Sequence, residues 1–426
     1  MARIRKMLRK SSRGLDLMLL LLCVASAGYA QGPVSTTGAL TLQQVLEIAR
    51  QKNPQLLGAE ENLQAVKAQE VQAGVRANPY FTLYGTNVTL PAQGASNPYA
   101  YSAQVSRLFE LGEKRRWRLD AARSTTMQTA AQLRDQQRQT MYAVKTAFTT
   151  MLIAKEAVKL ADQNLTDFRR EVDISQDRYK AGDIGKLDYE RLDLQLSQFE
   201  SDAASAKQNL QQASYQLQTL LGYSQLSDSF DIVGDVYPPA VQETLASLDQ
   251  KAVAARPDYQ ATQAAVSVAD ANVKLARAYG LTDPTLEGEY DRSGTYNSAG
   301  FSINIPLRIF DRNQGNKETA RYQAQAVRFS ETAALNQVHS DVAQAWVGYT
   351  LSKSLSDRYK NHYLDEMKDV VSIAQFAYDH GGIALIDYLD ALRDSRTTTA
   401  NALAAYSQTW MSIHQLSLAS ATEVAP

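Results

Sequence analysis

The chain has 426 residues, a formal net charge of −1, 21% charged residues and 44% hydrophobic ones. That balance excludes a bulk electrostatic attraction to nucleic acid, and it excludes an intrinsically disordered chain. The length suits either several ordinary domains or one elongated object built on long helices.

The first thirty residues differ in kind from the rest. MARIRKMLRKSSRG carries Arg3, Arg5, Lys6, Arg9, Lys10 and Arg13, and the short apolar run LDLMLLLLCVA follows. Ala25-Ser26-Ala27 or Gly28-Tyr29-Ala30 then offers a small-residue cleavage site. Residues 1–30 are therefore expected to be a bacterial-type signal peptide, because the apolar run is shorter than the ~20 residues a membrane span requires. Cys23 is the only cysteine, and bulky Leu22 before it disfavours lipid attachment there. A mature chain without cysteine has neither disulfides nor thiolate chemistry. No later stretch has transmembrane-helix length, so an exported chain either stays soluble or crosses another membrane as β-structure.

The remainder is written twice. TLQQVLEIARQKNPQLLGAEENLQAVKAQEVQAGVRANP at 41–79 and TLASLDQKAVAARPDYQATQAAVSVADANVKLARAYGLTDP at 244–284 align Pro54 with Pro257 and Pro79 with Pro284. RYKAGDIGKLDYER at 178–191 and AYDHGGIALIDYLD at 377–390 align Gly182 with Gly381 and Tyr189 with Tyr388. The expected organisation is a first repeat over 31–222, a connector over 223–241 and a second repeat over 242–426.

In the first repeat, Leu56, Leu57, Leu63, Val66 and Val71 predict a helix from Pro54 to about Ala77. A strand pair is expected over 80–108, where Tyr101, Ala103 and Val105 alternate with Ser102, Gln104 and Ser106 and PAQGASNPY supplies the hairpin turn. Residues 113–180 contain no proline and no glycine, except that Gly182 lies just beyond, and predict a helix about 100 Å long. A glycine turn and a helix over 186–221 follow. GYSQLSDSFDIVGDVYPPAV reads as a linker that starts the second repeat.

The second repeat predicts a helix, a strand pair over 285–307, a long helix over 316–380, a turn, and a helix over 384–419. Phe301 to Leu307 alternates strictly, and DRSGTYNSAG is the expected hairpin turn. Each long helix matches the summed length of the two short ones in its repeat, which predicts short helices stacked end to end beside it. The repeated turns then form the end farthest from the strands. Glu287, Glu289 and Asp291 fall on alternate strand positions and are expected to line a water-filled lumen, with Leu286 and Tyr290 facing lipid. Four strands cannot close a membrane barrel alone, so a membrane role requires several copies.

Catalytic chemistry is hard to place. His339, His362, His380 and His414 are too scattered for a metal site, and no phosphate-binding glycine loop follows a strand. The basic run Lys114, Arg115, Arg116 and Arg118 follows a strand and suits lipid headgroups better than nucleic acid. Neither a cofactor nor a metal is expected, and an enzyme is not.

The whole mature chain resembles the TolC-like outer membrane efflux proteins. The resemblance rests on the duplicated layout, on NP and RP opening two helices, on SRLFELGEKRRWRLDAA at 106–122, on NIPLRIFDRNQGNKETA at 304–320 and on the two tyrosine-glycine turns. ELGEKR and PLRIFDRNQG look most like the cobalt-zinc-cadmium heavy-metal efflux branch. The family implies a mainly α fold with a small membrane β part, a homotrimer with a shared β-barrel in the outer membrane, and a long periplasmic α-barrel. It further implies a passive duct of a tripartite efflux or type I secretion system, serving a periplasmic adaptor protein and an inner-membrane pump, most like the RND type, with metal cations as one class of cargo. The tip and adaptor-docking residues would be Gly182, Asp183, Ile184, Gly185, Gly381, Gly382, Ile383 and Ala384. Asp173 and Asp177 are candidates for an acidic aperture, whereas the positions that carry acids in the family's best-known member are Ser372 and Gln375 here. The rival reading is a periplasmic coiled-coil adaptor or structural protein without a pore.

Overall fold

The computed structural model describes residues 38–88 and 99–425. The expected signal peptide with Cys23, and the hairpin turn in PAQGASNPY apart from Tyr99, lie outside the described residues. The chain divides into Met1–Leu40 and Thr41–Pro426, and both expected repeats fall in the second unit, apart from the opening residues of the first.

Helix α1 (Leu42–Lys52) opens on a capping box in which the Thr41 hydroxyl accepts from the Gln44 N–H and the Gln44 side chain accepts from the Thr41 N–H at 2.9 Å. Asn53 separates it from α2 (Pro54–Ala73), and its Oδ1 accepts from the N–H groups of Gln55 and Leu56 at 2.9 and 3.2 Å. Strands β1 (Tyr80–Val88) and β2 (Tyr99–Leu108) follow, then α3 (Lys114–Ala181) and α4 (Lys186–Leu220). The second repeat supplies α5 (Leu245–Ala255), α6 (Pro257–Ala278), β3 (Thr285–Ser293), β4 (Tyr296–Asn304), α7 (Gln314–Arg358), α8 (Leu364–Asp379) and α9 (Leu385–Ser420). With 68 residues, α3 is about 100 Å long.

Four boundaries differ from the sequence reading. Helix α2 stops at Gly74 rather than Ala77. Strand β4 ends at Asn304, because Pro306 has no N–H to give a ladder and 305–307 leave the sheet. The DRSGTYNSAG hairpin turns on Gly294-Thr295 alone, with Gly294 at φ +60°. The long helix expected over 316–380 is interrupted by a π turn, Tyr359–Tyr363, between α7 and α8. Tyr237 of the connector sits against that turn: its hydroxyl bonds Asp357, and the Lys360 ammonium lies 3.4 Å from its ring centroid.

The short helices stack end to end. Asn53 Nδ2 donates to the Leu220 carbonyl at 2.8 Å, joining the end of α4 to the start of α2. Gly222 closes this joint at φ +78°, where a Cβ would stand 2.3 Å from the Lys52 carbonyl oxygen, so only glycine fits. In the second repeat Arg256 plays the part of Asn53: its guanidinium bonds the Ala419 carbonyl at 3.5 Å and Asp341 at 2.8 Å. Helix α3 packs against α2 and α4 on one side and α6 and α9 on the other, and α7 packs against α6 and α9. The connector crosses these helices at mid-height. Lys155 of α3 donates to the Ile232 carbonyl at 2.9 Å, Trp410 of α9 to the Val236 carbonyl at 3.0 Å, and Tyr349 of α7 receives the Val241 N–H at 2.8 Å.

Two apolar clusters hold the stack. One joins Leu248, Val338, Val342, Ile413 and Leu416 in the second repeat. The other joins Leu165, Phe168, Leu192 and Phe199 of α3 and α4 to Tyr378, Leu385 and Tyr388 of the second hairpin. Beside the first cluster, buried His414 bonds the Thr149 hydroxyl at 2.8 Å and stacks on Trp410, which packs against that cluster.

Candidate functional site

The four strands form one antiparallel sheet in the order β1-β2-β3-β4. Pairing sets Glu287 opposite Ser106 and Ser302, Glu289 opposite Gln104 and Gly300, and Asp291 opposite Ser102 and Ser298. Glu289 accepts from the Ser102 hydroxyl at 2.8 Å and the Gln104 amide at 2.9 Å. The opposite face carries Phe81, Leu83, Val105, Leu286, Tyr290, Phe301 and Ile303, all exposed, with Phe301 at 81%. Tyr80 and Tyr84 share the acidic face and Arg107 and Arg292 the other, but a sheet that gathers its carboxylates on one face and its exposed aliphatic and phenylalanine side chains on the other fits a wall between water and lipid. Its outer edges, β1 and β4, have no partner strand among the described residues.

At the other end of α3, the helix stops because Gly182 adopts φ +85°, and the N–H groups of Gly182 and Asp183 bond the carbonyls of Tyr179 and Arg178 at 3.0 and 2.8 Å. Gly381 repeats the device at φ +70°, with Gly381 and Gly382 bonding Tyr378 and Ala377 at 3.0 and 2.7 Å. Gly185 and Ala384 are the extended residues that open α4 and α9. Gly182, Asp183, Gly185, Gly381, Gly382 and Ala384 are exposed, while Ile184 and Ile383 are half-buried.

The two turns share a stacked tyrosine pair but bury it differently. Tyr179 and Tyr189 stack at 5.5 Å with Tyr179 38% exposed; Tyr378 and Tyr388 stack at 5.2 Å, at 7% and 4%. The second pair is packed into the cluster with Phe168 and Leu192, and the Arg178 guanidinium of the first hairpin lies 5.7 Å from the Tyr378 ring centroid. Burial and nearby Asp379 together push the Glu171 carboxyl above the ordinary carboxylate range, against the pull of Arg178. Glu171 and Arg178 therefore belong to the contact between hairpins, and the sequence had marked neither. Of the predicted aperture acids, Asp173 is exposed and Asp177 is exposed and paired with Lys180 at 3.3 Å. His380 spends its Nδ1 on the Phe376 carbonyl at 2.8 Å, and no group of three or more metal-ligating side chains occurs among the described residues.

The profile of the outer membrane efflux protein family matches residues 45–223 and again 248–422. The chain belongs to this family. The efflux-family chain is 26% identical over 366 residues to the cobalt-zinc-cadmium resistance protein CzcC of Cupriavidus metallidurans, covering 85% of each. It is 26% identical over 255 residues to the cation efflux system protein CusC of Escherichia coli K12, covering 57% of this chain and 55% of that one. A CusC crystal structure superimposes with a TM-score of 0.76 at 21% identity, covering 89% of this chain and 91% of CusC. The open-state MtrE outer membrane channel of Neisseria gonorrhoeae gives a TM-score of 0.72 at 20% identity, covering 90% and 89%. The mainly helical fold with a small antiparallel sheet is thus that of outer membrane channels.

Proposed function

We propose that three copies of this chain close one β-barrel in the outer membrane and one α-barrel in the periplasm, forming the exit duct of a tripartite efflux pump. The observation that carries the reading is the open-edged, two-faced sheet mounted on α3, a helix about 100 Å long. Four strands in lipid leave two rows of backbone groups unpaired, at several kcal/mol per group, until neighbouring copies supply partners. Exposed apolar side chains also mark both outer helical edges. Val71, Leu187 and Leu194 lie on α2 and α4, and Tyr322, Phe329, Ile373 and Phe376 lie on α7 and α8.

Glu287, Glu289 and Asp291 would face the lumen, where three copies multiply the negative lining and favour cations. Gly182 to Gly185 and Gly381 to Ala384 would meet the adaptor protein at the tip, and the adaptor would connect the duct to an inner-membrane pump. Cobalt, zinc, cadmium or related metal cations are the proposed cargo, in keeping with the names of CzcC and CusC. Fractionation tests the reading: the protein should stay with outer membranes after a salt wash and migrate as a heat-sensitive trimer. A monomer released by salt would overturn it.

A further inference from the structure

Helices α4 and α9 both pack on α3 and leave an open cavity of about 820 Å³ between them. Its floor is apolar, built from Ile153, Ala157 and Leu160 of α3, Ala206 of α4, and Ala400 and Leu403 of α9. None of these six is fully buried, so the floor has no cover among the described residues. The amides of Asn209 and Gln212 edge it. An apolar concavity of this volume with a few polar groups at its margin has the make-up of a small-molecule site.

Arg396 closes the end of the groove nearest the tip turns. Its Nη2 donates to Asp202 across the groove, and its guanidinium stands 4.5 Å from the Phe199 ring centroid. That is the one hydrogen bond this side chain makes among the described residues, whereas a guanidinium carries five N–H donors. The side chain is 21% exposed and held in place by a ring and a carboxylate, so its unspent donors form a fixed anion-binding group at the foot of the apolar floor. Arg393, the other cation of the lining, is 65% exposed and paired with Asp390 and Asp394 of its own helix at 3.2 and 3.7 Å, so it adds little.

The groove opens on the side of the helix layer away from the connector. On α3 the connector lies against Phe148, Leu152 and Lys155, about half a turn round the helix from Ala154, Ala157 and Ala161 of the groove. On α4, Gln211 and Tyr215 reach Asp228 of the connector, again opposite Asn209 of the groove. A connector on the inner face would lie across the conducting path, so the face that carries the groove is the inner one. We infer that this groove is a luminal binding site for a small aromatic anion, its ring on the alanine-rich floor and its one negative group on Arg396. The luminal placement rests on the duct reading above, and a ligand seated there obstructs conduction.

Dansylate, an aromatic monoanion, and dansylamide, the same ring without the charge, test this on the purified full-length trimer, by fluorescence titration and by single-channel recording. Dansylate should bind saturably and interrupt the current. Arg396→Gln should weaken binding about tenfold, and so should Ala400→Trp, which fills the floor without touching the ion pair. Conducting trimers that bind no dansylate, or bind it equally in both variants, overturn the site and leave the duct reading standing. Equal affinity for dansylamide overturns the choice of an anion. Binding that both variants weaken but that never interrupts the current overturns the luminal placement. Protein that forms no conducting trimer overturns the duct reading and the luminal placement together.

Discussion

Asn53 holds two helices at once: its Oδ1 caps the N-terminus of α2 while its Nδ2 reaches the Leu220 carbonyl at the C-terminus of α4. Both ends of an otherwise open joint are satisfied by one side chain that is 3% exposed. Replacing it with alanine removes a cap and orphans a buried carbonyl, at a combined cost of about 2–3 kcal/mol. Asn53→Ala should lower the unfolding temperature of the purified protein, and Gly222→Ala should lower it further by driving a Cβ into the Lys52 carbonyl. Equal stability of both variants to the parent would remove the joint from the account.

That joint is legible in the sequence, because Pro54 and Pro257 mark helix starts and the helix lengths add up. The strands were legible too, since Ser102 to Ser106 and Leu286 to Asp291 alternate in hydropathy and each face has one solvent. The π turn was not, because YKNHY contains no glycine or proline and the interruption is matched to Tyr237, over a hundred residues away in sequence. Glu171 and Arg178 escaped for the same reason: their partner, Tyr378, belongs to the other hairpin. The likeness of the two tyrosine turns concealed that one pair is buried while the other leaves Tyr179 exposed and Tyr189 half-buried.

Gly182 and Gly381 adopt positive φ, yet a Cβ at either would meet nothing within 4 Å. The cost of substitution is therefore backbone strain, about 1–2 kcal/mol per turn, rather than a clash. Gly182→Val with Gly381→Val should leave assembly intact but distort the tip, reducing adaptor crosslinking and efflux together. Unchanged crosslinking and efflux would argue against docking at these turns.

The tip and the middle of the molecule respond oppositely to acid. Glu171 has a raised folded pKa, so its contribution to hairpin packing is complete below its ordinary 4.5 and is lost as pH rises through the raised value. Burial, with Lys145 nearby, depresses His414 from 6.5 to about 4, so stability is lost as pH falls below 6.5 and levels off near 4. The second effect is on the order of 3 kcal/mol per chain. Thermal unfolding against pH should show that Glu171→Gln gains over the parent as pH rises, whereas His414→Gln flattens the acid-side fall. Parallel curves for the variants and the parent would refute both assignments.

The acid row of β3 makes a prediction about conduction. Changing Glu287 and Glu289 to glutamine and Asp291 to asparagine should leave the sheet intact, since Gln104 and Ser102 can still bond position 289. The reversal potential in a salt gradient should move toward zero as cation preference weakens. No shift would place these carboxylates away from the conducting path.

Single-channel recording in a planar bilayer tests the central claim most directly. Purified protein that runs as a trimer should insert as discrete conducting units, and loosening the tip with Gly182→Val plus Gly381→Val should raise their conductance. Trimeric protein that inserts into the bilayer but gives no conductance, with the tip intact or distorted, would contradict the reading of this chain as a membrane duct.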